Sequence, residues 1–152
     1  MPRSLTLAFV VLLVAAASSA SAPPARPARA PHELLIENTD RGAVLRIHLQ
    51  PGEVFSVVYR HSIYDQPVTE EFVVDDEGHI VLQAVTSPSA AVREYFGITA
   101  AGERHAMVRS MPEIVFRIAA GTVQRLRAGG VEHSFLELGE HGDRLVLRAD
   151  PS

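Results

Sequence analysis

VFSVVYRHSIYDQPVTEEFVV, running from Val54 to Val74, carries the reading that decides the fold. Alternate positions fall on one face of an extended chain, so Phe55, Val57, Tyr59 and His61 share a face. Val68, Glu70, Phe72 and Val74 share a face of the segment that follows. The polar stretch Ser62-Ile63-Tyr64-Asp65-Gln66-Pro67 between them is longer than a minimal two-residue turn and joins two antiparallel strands. The same period of two recurs over Leu34–Glu37, Ala43–Leu49, Ile80–Thr86, His105–Arg109, Glu113–Ile118, Val131–Leu138 and Arg144–Arg148. Gln50-Pro51-Gly52, Asp75-Asp76-Glu77-Gly78, Ala128-Gly129-Gly130 and Gly139-Glu140-His141-Gly142-Asp143 punctuate these segments as turns. The expectation is an all-β domain, a small antiparallel sandwich or partly open barrel of about eight short strands. Binary patterning leaves those two architectures open. One region breaks the rhythm: around residues 87–102 the chain holds Pro88 and then AAVREYFG, which reads as a longer loop or a short helix ending at Gly97.

The first residues set the compartment. Arg3 precedes the apolar run Leu5–Ala17, and SSASA follows it, which is the pattern of a signal peptide over residues 1–22 with cleavage after Ala20 or Ala22. The run is shorter than the roughly 20 residues that a membrane-spanning helix requires, and no later stretch reaches that length. Residues 23–32, rich in proline, alanine and arginine, read as an extended linker, and residues 33–150 as a single β-rich domain. The sequence points to an exported protein, periplasmic or extracellular, with no transmembrane segment in its mature form. With no cysteine the chain has neither disulfides nor thiolate metal ligands. The net charge of -4, and the lack of any basic stripe interleaved with aromatic residues, weigh against nucleic acid as a partner.

The chemistry-bearing residues concentrate at the hairpin. Tyr59, Arg60, His61, Ser62, Tyr64, Asp65 and Glu70 gather around one turn, and Arg93 lies in the irregular segment. If His61 and Val68 form the base of the loop, Glu70 reaches His61 diagonally and fixes its tautomer or favours its protonated form. Arg60 and Glu71 then face the opposite side as a possible pair. Tyr59, Tyr64, Tyr95, Phe96 and Phe135 are candidates for lining a ligand mouth. Aromatic rings beside Arg60 or Arg93 suit a small organic anion. Alternating positions make Phe55, Phe72, Phe116 and Phe135 core residues on the structural reading, and His61 with Glu70 a packed pair.

HSIYDQPVTEEF resembles the signature of a bacterial family of small exported domains, domain of unknown function number 1850. The resemblance rests on His61, Ser62, Ile63, Val68 and Glu70, with Phe72 completing it, and extends as strand rhythm from about Leu34 to Leu147. It implies an accessory role beside a tripartite tricarboxylate-type or TRAP/TAXI-type solute importer, with the membrane transporter or its extracytoplasmic solute-binding protein as partner. It implies no catalytic activity. After Ser87 the chain departs from the glycine-rich stretch expected of that family, carrying Val92-Arg93-Glu94-Tyr95-Phe96-Gly97 instead.

Three classes of function follow. The first is a non-enzymatic exported binding or accessory module with its site at the hairpin and no cofactor. The second is a structural adaptor that contacts a protein and takes no small molecule. The third, a hydrolase using Ser62, suffers because His61, its neighbour in an extended strand, points away from it and no GxSxG elbow repairs the geometry. A metal site is not expected: the seven histidines are scattered, His61 and Glu70 supply two ligands without a third, and Asp75-Asp76-Glu77-Gly78-His79 lacks calcium-loop spacing.

Overall fold

The computed structural model describes residues 31–151. The expected leader and most of the expected linker lie outside the described residues, but His32, assigned above to the linker, is the first residue of a strand. Among the described residues ten strands form: β1 (His32–Asn38), β2 (Val44–Leu49), β3 (Phe55–Arg60), β4 (Pro67–Val74), β5 (Ile80–Thr86), β6 (Arg104–Met111), β7 (Glu113–Arg117), β8 (Arg125–Ala128), β9 (Val131–Ser134) and β10 (Arg144–Pro151). They make two separate antiparallel sheets, one ordered β2-β1-β10-β7 and the other β6-β5-β4-β3-β8-β9, so the architecture is the sandwich and not the barrel.

Leu34, Ile36, Leu145 and Leu147 project inward from the smaller sheet. They meet Phe55, Val57, Val68, Phe72, Ile80 and Leu82 from the larger one. Phe55 and Phe72 lie directly opposite each other on β3 and β4 and stack with centroids 5.4 Å apart. Phe135 is buried as expected, whereas Phe116 is only half-buried.

The segment Val131–Leu138, read from its pattern as one strand, divides in two. After Ser134 the chain enters a 3₁₀ turn over Phe135–Glu137, because Ser134 and Glu137 form a reciprocal capping box. The short strand β8 escaped the pattern: its outward residues are Arg125 and Arg127, leaving only Leu126 and Ala128 to mark an inner face. Between β5 and β6 the irregular segment is a short helix, α1 (Ala90–Tyr95). The Ser89 side chain caps its start and Val92 anchors it in the core. Gly97, at φ +77°, ends it with Gly97 N–H donating to Glu94 O and Ile98 N–H to Arg93 O, a Schellman pattern.

One buried polar node ties the turn after β1 to the segment before β10. Asn38 is fully buried; its Nδ2 donates to Leu138 O (3.0 Å) and Asp143 Oδ2 (2.9 Å), while its Oδ1 accepts from the N–H groups of Asp40 and Arg41. The Asp143 carboxyl is held down at about 2, first by the backbone N–H of Glu140, then by Asn38 and Arg41. Gly139 is required by close approach, since a Cβ there would overlap Asn38 Nδ2 and Asp143 Oδ2.

Candidate functional site

The hairpin register changes the partners anticipated from sequence. Tyr59 lies opposite Val68, Arg60 opposite Pro67 and Val57 opposite Glu70. The loop is therefore tighter than expected: His61 N–H donates to Gln66 O (2.8 Å), and Asp65 N–H donates to His61 O (2.8 Å). A shift of two residues leaves every side chain on its expected face but moves each diagonal neighbour. Tyr59, not His61, now stands diagonally across from Glu70 and donates its hydroxyl to Glu70 Oε1. Among the described residues no His61–Glu70 hydrogen bond or ion pair forms. Burial pushes the Glu70 carboxyl up, against the opposing effects of the Tyr59 bond and the Arg109 charge. Burial also pushes the Tyr59 phenol up, helped by the negative charge of Glu70.

Arg60 and Glu71 do not pair either. Arg60 Nε donates to Asp65 Oδ1 at 2.7 Å, and Glu71 takes both Nε and Nη2 of Arg104. The Arg60 partnership lowers the Asp65 carboxyl and raises the Arg60 guanidinium, in both cases first through the hydrogen bond. Asp65 adopts φ +49°, a left-handed conformation that aspartate tolerates better than most residues, and thereby closes the turn.

His61 is buried although it lies outside the strand. Its ring stacks on Tyr64 (5.2 Å) and meets the edge of Tyr95 from α1 (4.6 Å). Its Nδ1 accepts the Ile63 N–H at 3.3 Å, which uses the nitrogen nearest the loop. Ser62 is exposed, and among the described residues no histidine bonds its hydroxyl, so the constellation lacks the aligned base of a serine hydrolase.

These elements converge on a third, the chain linking β7 to β8. Gln124 pins this link by accepting Ala119 N–H (2.8 Å) and donating to Arg117 O (3.1 Å). The result is a cleft of about 400 Å³ whose polar lining is Tyr59, Arg60, His61, Ser62, Arg117 and Gln124, with Ile63 and Tyr95 as apolar walls. A second concavity of about 290 Å³ shares Arg60, His61, Ser62 and Ala119 with it and continues along Asp65, Gly121 and Thr122. Arg117 donates one N–H to Gly142 O (2.8 Å) and has no carboxylate partner among the described residues.

Of the residues singled out from sequence, Tyr59, Arg60, His61 and Ser62 line the cleft and Asp65 the adjoining concavity. Tyr64 supports His61 from outside. Glu70 is half-buried, bonded to Tyr59, and lines neither space. Arg93 is elsewhere, with Nη1 donating to Ser87 O and Pro88 O (both 3.1 Å). Arg117, Thr122 and Gln124 had no signal in the sequence, since their approach to the hairpin depends on the long-range placement of β7 and β8. At the other end of β4, ligand atoms of Asp75, Glu77 and His79 come within 4.8 Å of one another. There Asp75 Oδ1 accepts the N–H groups of Glu77 and His79, as a capped hairpin turn requires.

No helix among the described residues is long and apolar enough to cross a membrane. Comparison of the chain with protein-family models, with curated proteins and with solved structures gave no match.

Proposed function

We propose that the protein is a non-enzymatic, exported binding module that holds a small organic anion in the cleft at the β3–β4 turn. The observation that carries this reading is Arg117: a guanidinium without a carboxylate partner among the described residues, facing a 400 Å³ cleft beside His61, Arg60 and Tyr95. Such a space suits a small solute, and a planar donor fork selects a carboxylate. The use of His61 Nδ1 by the loop backbone favours binding over catalysis. Export rests on the leader pattern, and an accessory role at a solute importer rests on the hairpin signature. A thermal-shift screen of the purified chain against organic acids, repeated with His61→Ala, tests the reading. A carboxylate-induced rise in Tm that disappears in a folded variant supports it; equal rises in both proteins contradict the site.

A further inference from the structure

Resting on that reading, we infer that the cleft and the adjoining concavity form one groove for an unbranched dicarboxylate. The two spaces share Arg60, His61, Ser62 and Ala119, so a linear ligand passes from one to the other. Each end offers donors. At one end stands Arg117, uncompensated by any carboxylate among the described residues. At the other, Ala120 and Gly121 line the concavity, and their N–H groups donate to no acceptor among the described residues. The loop also holds the Thr122 hydroxyl, buried and without a hydrogen bond. A change of χ1 rotamer at Thr122 is the movement by which that hydroxyl would reach a ligand in the groove.

The middle is different. The Arg60 charge is neutralised by Asp65, and Tyr95 and Ile63 supply apolar wall for a methylene chain. Acceptors decide against a zwitterion. Among the described residues Asp65 is the one carboxylate lining either space, and Arg60 already holds it, so an amino acid's ammonium group finds no free carboxylate there.

Isothermal titration calorimetry of the full chain with glutarate, valerate and glutamate tests this. Glutarate is expected to bind at least about tenfold more tightly than valerate, the worth of one further set of charge-assisted hydrogen bonds, and more tightly than glutamate. Arg117→Gln weakens both glutarate and valerate, whereas Thr122→Val weakens glutarate alone; melts of the unliganded variants verify their fold. Valerate or glutamate binding as tightly as glutarate overturns the dicarboxylate assignment while leaving anion binding intact, as does an equal effect of Thr122→Val on both acids. Absence of binding by every carboxylate overturns the underlying reading as well. The ligand series on the unsubstituted protein decides the matter even if a variant does not fold.

Discussion

Glu70 is a half-buried carboxyl group on the inward-facing side of β4, with the Tyr59 hydroxyl as its hydrogen-bond donor. Removing that donor by Tyr59→Phe takes one hydrogen bond from a half-buried acceptor, and the domain is expected to lose about 0.5–1.5 kcal/mol in denaturant unfolding. The pH dependence has a definite sign. Because the folded state raises the Glu70 carboxyl above its ordinary 4.5, its contribution is complete below that value and is lost as pH rises through the raised one. Glu70→Gln keeps an acceptor for Tyr59 without the ionisation. Calorimetric scans should therefore show the variant with the higher Tm at about pH 8 and a difference that shrinks toward about pH 4. A gap that widens toward acid pH would mean that the folded state favours the ionised carboxylate.

At the scale of elements, the hairpin loop is held by the packing of the His61 ring against Tyr64 and Tyr95 and by the Ile63 N–H on His61 Nδ1. His61→Ala is expected to cost about 0.5–1.5 kcal/mol for each of these aromatic pairings, measured in denaturant melts, while unfolding stays cooperative because the Phe55–Phe72 core lies deeper along the same strands. Loss of cooperative unfolding would show that the loop organises the sandwich instead of decorating it. The strands themselves were legible in the sequence wherever one face is apolar and the other polar. The hairpin faces were correct even though the register was displaced, because a two-residue slip preserves facing and changes only the partners. That is why Tyr59 took the place assigned to His61. Strand β8, with two arginines outward and four residues in all, is too short to declare a period. The break after Ser134 was readable, since Ser134-Phe135-Leu136-Glu137 is a capping-box spacing. Arg117, Thr122 and Gln124 were not readable as site residues, because nothing local in the sequence links the β7–β8 connection to a hairpin so much earlier in the chain.

For the molecule as a whole, the smaller sheet closes the chain by placing β1 beside β10, and the node of Asn38, Arg41 and Asp143 fastens that closure. The Asp143 carboxyl is lowered from 3.8 to about 2, so its contribution is present above 3.8 and is lost as pH falls through about 2. Acid unfolding should accordingly steepen within that window, and Asp143→Asn should flatten this limb in a circular-dichroism titration; an unchanged limb would mean that other carboxylates govern acid stability. The same closed frame brings β3–β4, α1 and the β7–β8 connection to one end of the sandwich, where the cleft forms. The most direct test of that cleft as a binding site is a heteronuclear NMR titration of the chain with glutarate. Saturable shifts confined to residues 59–63, 95 and 117–124, abolished by Arg117→Gln, are the predicted result. Saturable shifts elsewhere, or none at millimolar ligand, would contradict it and turn attention to a protein partner.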